Sequence, residues 1–406
     1  MSKALQDITV LDLTQWEAGP TATQLMGFLG ANVIKIEPPK VGDPARRFSG
    51  VPLEGDVDSF YFITLNANKK SITLDLDKAR GREIFKEMVK KGDVVVENFE
   101  AGTMEKWGLN YDVLKEINPK LIYGRVSGYG SYGPYADYPA DDSTIQAMTG
   151  TTSWTGFPDK PPVRGGPRFA ETGSGVNLCS GILMALHQRD REGKGEFVEV
   201  TMADTSINLC RVRLTAMQTE TDQMYKGPPI KRLGIVTGSR APSNIYPTKD
   251  QDIYINFMYG AAQDQWEMTM KLIGHPELVG DPRFADQYTR GKHSDVVDKL
   301  LSDWTSQRSG AEAFNTLAGA GISTGITLTS SMAMNDPHIL YREKVVELDH
   351  PVRGKYKMLG YAGRLEKSPV EIRTAPLLGE HNEEVYAELM GYTKDDLSKL
   401  KTAGVI

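Results

Sequence analysis

The first 130 residues repeat one phrase, a short apolar run, a loop and then a helical pattern, and that repetition constrains the fold more than any other feature. Ile8–Leu13, Ala31–Glu37, Asp93–Glu97 and Leu121–Val126 read as strands. A helical pattern follows the first loop, running through Leu29 to a stop at Gly30, and another spans Lys78–Lys91. Strands alternating with helices imply right-handed crossovers and a parallel sheet, hence an α/β fold. In such sheets the loops beyond the carboxyl ends of the strands line the ligand crevice. Gln15, Trp16 and Glu17 after the first run, Asn98 and Phe99 after the third, and Ser127 and Gly128 after the fourth therefore converge on one edge.

Residues 165–202 carry the chemistry. Glu171 stands before a small-residue turn, Thr172, Gly173, Ser174 and Gly175, which opens an apolar helix. A carboxylate there lies beside the positive end of a helix dipole with little bulk around it. An enzyme would hold an anionic nucleophile at such a place, and an ordinary capping carboxylate also sits there. If Glu17 lies near Glu171, two carboxylates share one site and one of them keeps its proton to higher pH.

The chain is longer than one core usually serves, with 406 residues, so two domains are expected. The reading assigns 1–205 to a large ligand-binding domain, 206–227 to a linker, 228–320 to a small domain, 321–345 to a second linker, and 346–406 to a segment returning to the large domain. Amphipathic helices are expected at Gln263–Ile273, Ser294–Ser306, Ala311–Ala320 and Asn382–Met390, a β-run at Asp252–Met258, and irregular chain between 330 and the last helix.

Net charge of −6 argues against nucleic acid as the main partner. No apolar run approaches the ~18 residues that span a bilayer, and MSKALQDITV does not read as a signal peptide, so a cytoplasmic protein without membrane association is expected. Cys179 and Cys210 imply no disulfide framework, and Cys179 falls on the apolar side of its helix. The six histidines are scattered without metal-ligand spacing, so no metal site is expected. After the first strand the chain reads AGP rather than G-x-G-x-x-G, and it has no Walker loop, which argues against a dinucleotide cofactor.

LDLTQWEAGP, GANVIKIEPPKVGDPAR, NANKKSITLDL, VVENFEAG, WGLNYDVLKEINPKLIYGRVSGYGSYGP, STIQAMTG, GEFVEVTM, DPRF and APLLGEHNEEV, in this order from residue 5 to 406, resemble family III CoA-transferases, the formyl-CoA and carnitine CoA-transferase group. The resemblance implies a Rossmann-like large domain built from both chain ends, a small domain on long linkers, and two ring-shaped subunits interlocked as a dimer. It implies coenzyme A and acyl-CoA as substrates, a carboxylic acid as partner, and no permanently bound cofactor. The family's catalytic aspartate falls at Glu171, and Glu17 stands where the formyl-CoA branch has glutamine. The glycine run of that branch corresponds to Thr237–Asn244, TGSRAPSN here.

In the family's chemistry a carboxylate attacks an acyl-CoA thioester, and the resemblance gives that role to Glu171. Gly173, Gly175 and the Ser127-Gly128 loop are the candidate oxyanion donors. Arg46, Arg47, Lys69, Lys70 and Lys106 are candidates for the CoA phosphates, and Phe99 and Trp16 for its adenine or pantetheine. Lys106 and Pro38 stand where the formyl-CoA branch has arginines. Asp142 is either an acyl-positioning group or a helix cap, and Arg240 is the candidate partner for a second substrate carboxylate. The alternative reading is a silent subunit of a heteromer of the benzylsuccinate CoA-transferase kind, whose related partner carries the aspartate. An α-methylacyl-CoA racemase is disfavoured because Ala140–Gln146 holds Asp141-Asp142 and no histidine.

Overall fold

The computed structural model describes residues 2–49, 57–215, 218, 232, 234, 240–258 and 260–406. Six strands form one parallel sheet: β1 (Thr9–Asp12), β2 (Asn32–Glu37), β3 (Lys70–Thr73), β4 (Val94–Glu97), β5 (Ile122–Ser127) and β6 (Glu196–Thr201), in the order β3-β2-β1-β4-β5-β6. The order reverses beside β1, the topology of a doubly wound α/β sheet. The helices needed below are α1 (Ala18–Phe28), α2 (Phe60–Asn66), α3 (Ala79–Val89), α4 (Thr103–Trp107), α5 (Tyr111–Ile117), α6 (Asp142–Met148), α7 (Phe169–Glu192) and α8 (Met202–Leu209).

Both faces of the sheet are covered, which is why its strands are near-continuous apolar runs. Alternate side chains feed two cores. Leu11, Ile34 and Val95 pack with Ile84, Phe85 and Met88 of α3 and with Val385, Tyr386 and Leu397 near the C-terminus. Val10, Val33, Val94 and Val96 face Ala22 and Met26 of α1 and Leu178, Cys179 and Ile182 of α7. Glycines permit the close approach of α7 to its neighbours. A Cβ on Gly175 would lie 2.4 Å from the Ala18 carbonyl oxygen, and one on Gly173 would lie 2.6 Å from Leu209 Cδ1. The Thr172–Gly175 stretch read as a turn is therefore helical: α7 begins at Phe169. Packing against α1 and α8 outweighs the roughly 1 kcal/mol that a glycine costs inside a helix.

The chain divides into two compact units: Met1–Thr152, Arg164–Gly227 and Leu340–Ile406 form one, Ser153–Val163 and Pro228–Ile339 the other. In the first unit the C-terminal segment covers the exposed edge of β3. Asn382 Oδ1 accepts from the Thr73 amide at 2.8 Å, and the Tyr386 hydroxyl donates to the Thr73 carbonyl at 2.8 Å. The stretch read as irregular after residue 330 contains an antiparallel hairpin, Val345–His350 with Gly354–Leu359. The second unit has an antiparallel sheet of Ser243–Tyr246, Ile253–Asn256 and Ser323–Ile326, with Trp266 and Phe284 in its core. An end at 320 would cut off the last of these strands, so the small domain extends further than the sequence reading. The expected linker 206–227 starts inside α8, and its residues 216–217 and 219–227 lie outside the described residues.

Candidate active site

The loop between β1 and α1 is held from beneath by buried charges. Asp12 accepts from the Thr14 amide at 2.9 Å, the Thr23 hydroxyl at 2.8 Å and the Lys69 ammonium at 2.9 Å. The Lys35 ammonium donates to the Thr14 carbonyl at 2.7 Å and pairs with Asp43 at 2.9 Å. From the side, the Asn98 carboxamide brackets Gln15, accepting from its amide at 2.8 Å and donating to its carbonyl at 2.7 Å. So anchored, the loop accommodates Trp16 in the left-handed region at φ 64° and presents its ring half-exposed against Phe48.

Glu171 lies in the first turn of α7, but its carboxylate caps a different helix. Its Oε2 accepts from the Ala18 amide at 3.0 Å, at the N-terminus of α1. The N-terminus of α7 is capped in turn by buried Asp142, whose Oδ1 accepts from the amides of Ala170 at 3.0 Å and Glu171 at 3.2 Å. Gln146 fixes Asp142 through a 2.6 Å hydrogen bond to Oδ2. Of the two roles read for Asp142, the structure shows the cap, applied to α7. Its own helix, α6, is capped by Asp141.

Glu17 is almost fully buried beside this pair. Its Oε1 accepts from Thr172 Oγ1 at 2.7 Å, and its Oε2 accepts from the Tyr61 hydroxyl at 2.9 Å and Arg168 Nη1 at 3.2 Å. Burial, and then the neighbouring Glu17, push the Glu171 carboxyl up to about 7; the Ala18 amide and Arg168 oppose the rise. The two helix N-termini therefore do not hold Glu171 fully ionised at neutral pH, as the dipole argument alone would suggest.

A cleft of about 890 Å³ opens over Glu171. Gln15 and Trp16 from the β1 loop, Asn98 and Phe99 from the β4 loop, and Ser127 and Gly128 from the β5 loop all line it. Of the residues to which the crevice rule was applied, these six line the cleft, while Glu17 is buried against Thr172, Tyr61 and Arg168. Phe99 packs edge-on against Trp107 with ring centroids 5.2 Å apart, and its amide donates to Glu97 at 2.8 Å.

Most of the candidate phosphate ligands are committed elsewhere. Arg46 is buried and grips Glu37 with two nitrogens, each at 2.7 Å, while a third pairs with Asp58. Lys69 is buried on Asp12 and Asn66; burial first of all lowers its ammonium to about 8. Lys70 pairs with Glu384 at 2.6 Å at the C-terminal flank. Arg47 is exposed, its Nη1 donating to the Val57 carbonyl at 3.1 Å. Lys106 is exposed on α4, the helix whose Thr103 lines the cleft.

The oxyanion role read for Gly173 and Gly175 fails on geometry. Both sit inside α7, where their amides are spent on the carbonyls one turn back, and their missing side chains serve packing. Arg240 is an exposed residue of the second unit, just before Ser243–Tyr246, and Thr237–Ser239 of the expected glycine-loop segment lie outside the described residues.

Sequence reasoning missed Tyr61 and Arg168, which meet Glu17 across 44 and 151 residues of chain. Arg168, three residues before Glu171, was within reach of a local reading. Tyr61 carried no such signal.

The site is a ligand crevice at the carboxyl edge of a parallel α/β sheet, with a carboxylate held between two helix N-termini. Comparison with known proteins goes further. The chain matches the description CoA-transferase family III over residues 5–382. It is 38% identical to a formyl-CoA:oxalate CoA-transferase of Streptomyces coelicolor, covering 100% of both chains, and 36% identical to a succinyl-CoA–D-citramalate CoA-transferase of Chloroflexus aurantiacus, covering 100% of this chain and 98% of the relative. A CaiB/BaiF family protein from Brucella suis superposes with a TM-score of 0.84 at 31% identity, over 96% of this chain and 100% of that one. The chain belongs to CoA-transferase family III. Among the described residues no helix is long and apolar enough to cross a membrane, and no cluster of three or more metal-ligating side chains occurs.

Proposed function

We propose that this chain moves CoA from an acyl-CoA to a free carboxylic acid with Glu171 as the covalent carboxylate. The observation that carries the reading is the position of Glu171: its oxygen rests on the Ala18 amide at the floor of the cleft that the β1, β4 and β5 loops line. Ionised Glu171 attacks the thioester carbon, the C–S bond breaks, and a mixed anhydride and CoA thiolate result. The thiolate then attacks the Glu171 acyl carbon and expels the donor's acid, leaving a glutamyl–CoA thioester. The acceptor carboxylate attacks that thioester and releases the thiolate. The thiolate returns to the acceptor's acyl carbon, giving the new acyl-CoA and regenerating Glu171. Electron pairs balance over the cycle without net proton transfer.

Ala18 replaces Gly173 and Gly175 as oxyanion donor in this scheme. Its amide already points at the Glu171 carboxyl and stays there as charge develops on that carbonyl oxygen. The Ser127-Gly128 loop remains the candidate on the acyl side. Gln15, Trp16, Asn98 and Phe99 form the proposed bed for CoA, with exposed Lys106 on α4, the helix whose Thr103 lines the same cleft.

Brief exposure of the purified chain to a panel of acyl-CoAs, formyl-CoA and succinyl-CoA included, followed by mass spectrometry, tests the reading. A hydroxylamine-sensitive CoA adduct on Glu171 is the expected result. A folded homodimer that forms no adduct and exchanges no CoA overturns it in favour of a silent subunit whose partner is a related chain.

A further inference from the structure

Arg168 is the cation beside the reacting carboxylate, and it holds Glu17 more loosely than Arg46 holds Glu37. Arg46, whose task is to neutralise Glu37, grips that carboxylate with Nε and Nη2, both at 2.7 Å. Arg168 touches Glu17 with a single nitrogen, Nη1, at a longer 3.2 Å, and the same nitrogen donates to the Tyr61 hydroxyl at 3.0 Å. Its Nε and Nη2 donate to no other described residue. That pair of parallel N–H groups is the edge of a guanidinium that matches a carboxylate. The side chain is 40% exposed and lines the same cleft as Glu171.

We propose that this open edge of Arg168 binds the free carboxylate of a short dicarboxylic substrate, while Glu171 reacts at the other end of the same molecule. The inference rests on the CoA-transferase reading and names its substrate class. It moves the recognition of a second carboxylate from Arg240 to a residue three positions before Glu171.

The charges favour the arrangement. Glu17, tied down by Tyr61, Thr172 and Arg168, fixes the guanidinium at its Nη1 corner and leaves the fork free to turn toward the cleft. Arg168 also feels Glu171. When Glu171 is acylated its negative charge disappears, and the field at Arg168 becomes more attractive to an incoming anion. A substrate lacking the second carboxylate leaves the fork to water. Arg168 and Glu171 line the same cleft three residues apart in the chain, and both bear on Glu17, a closeness that suits short diacids.

The test compares wild type, R168Q and R168K in CoA transfer to diacids and to monocarboxylic acids of equal length. The readout is the ratio of the two kcat/KM values, because any effect of Arg168 on Glu171 itself touches both. A hydrogen-bonded charge pair supports a fall of this ratio by roughly 10- to 100-fold in R168Q. R168K, which keeps the charge without the fork and covers the case of an unstable R168Q, should recover only part of it. Succinate binding to E171Q in the presence of CoA, followed by calorimetry, should weaken at least about tenfold on adding R168Q. Equal losses for diacids and monoacids overturn the proposal, as does succinate binding indifferent to R168Q. Absence of any adduct in wild type strikes the Glu171 reading alone, and calorimetry still decides the role of Arg168.

Discussion

Replacing Glu171 with glutamine should make the protein more stable at alkaline pH while removing its nucleophile. Raising a carboxyl from 4.5 to about 7 means that folding disfavours its ionised form by roughly 3 kcal/mol. Glu171 borders an open cleft, so solvent screening reduces this to about 2 kcal/mol. Between those two values the folded chain holds a proton that the unfolded chain has released, so stability falls as pH rises. The deficit is absent below the unfolded value and complete above about pH 8. Glutamine mimics the protonated form, and its carbonyl can still accept from the Ala18 amide. Urea unfolding of wild type and E171Q followed by circular dichroism should therefore show a gap that widens by about 2 kcal/mol in the variant's favour between about pH 5 and pH 8.5. A gap that stays constant across that range, or widens in favour of wild type, refutes the assignment of a raised, buried carboxyl to Glu171.

Three further substitutions test the surrounding machinery. E17Q removes the charged neighbour that helps to raise Glu171, so the acid limb of kcat/KM, expected near about 7, should move to lower pH; an unmoved limb would show that Glu17 does not act on the nucleophile. G175A places a methyl group 2.4 Å from the Ala18 carbonyl oxygen, and unfolding should show a loss of roughly 1–3 kcal/mol together with reduced turnover. K69M strands Asp12 without its buried partner and should cost roughly 3–5 kcal/mol in urea unfolding.

The sheet was legible because period and composition agree along β1, β2, β4 and β5, where apolar side chains alternate between two cores. Lys70–Thr73 escaped notice because it is a short edge strand carrying a lysine and a serine. Its partners, His381 and Asn382, lie some three hundred residues away. Glycine content disguised the start of α7, since the reason for those glycines is the approach of α1 and α8. The crevice loops followed from a rule about strand ends and needed no side-chain detail. The cations did not: whether Arg46 or Lys69 faces solvent depends on Glu37, Asp58 and Asp12, and their placement is fixed only by the folded chain.

The Glu171 carboxylate is also the end-group that completes α1. A carboxylate accepts from a peptide amide more strongly than a thioester carbonyl does. In the proposed cycle each covalent intermediate therefore loosens the cap on α1, and each regeneration of Glu171 tightens it. The segment carrying Gln15 and Trp16 runs directly into that cap, so the wall against which CoA lies would sense, turn by turn, whether the enzyme is loaded.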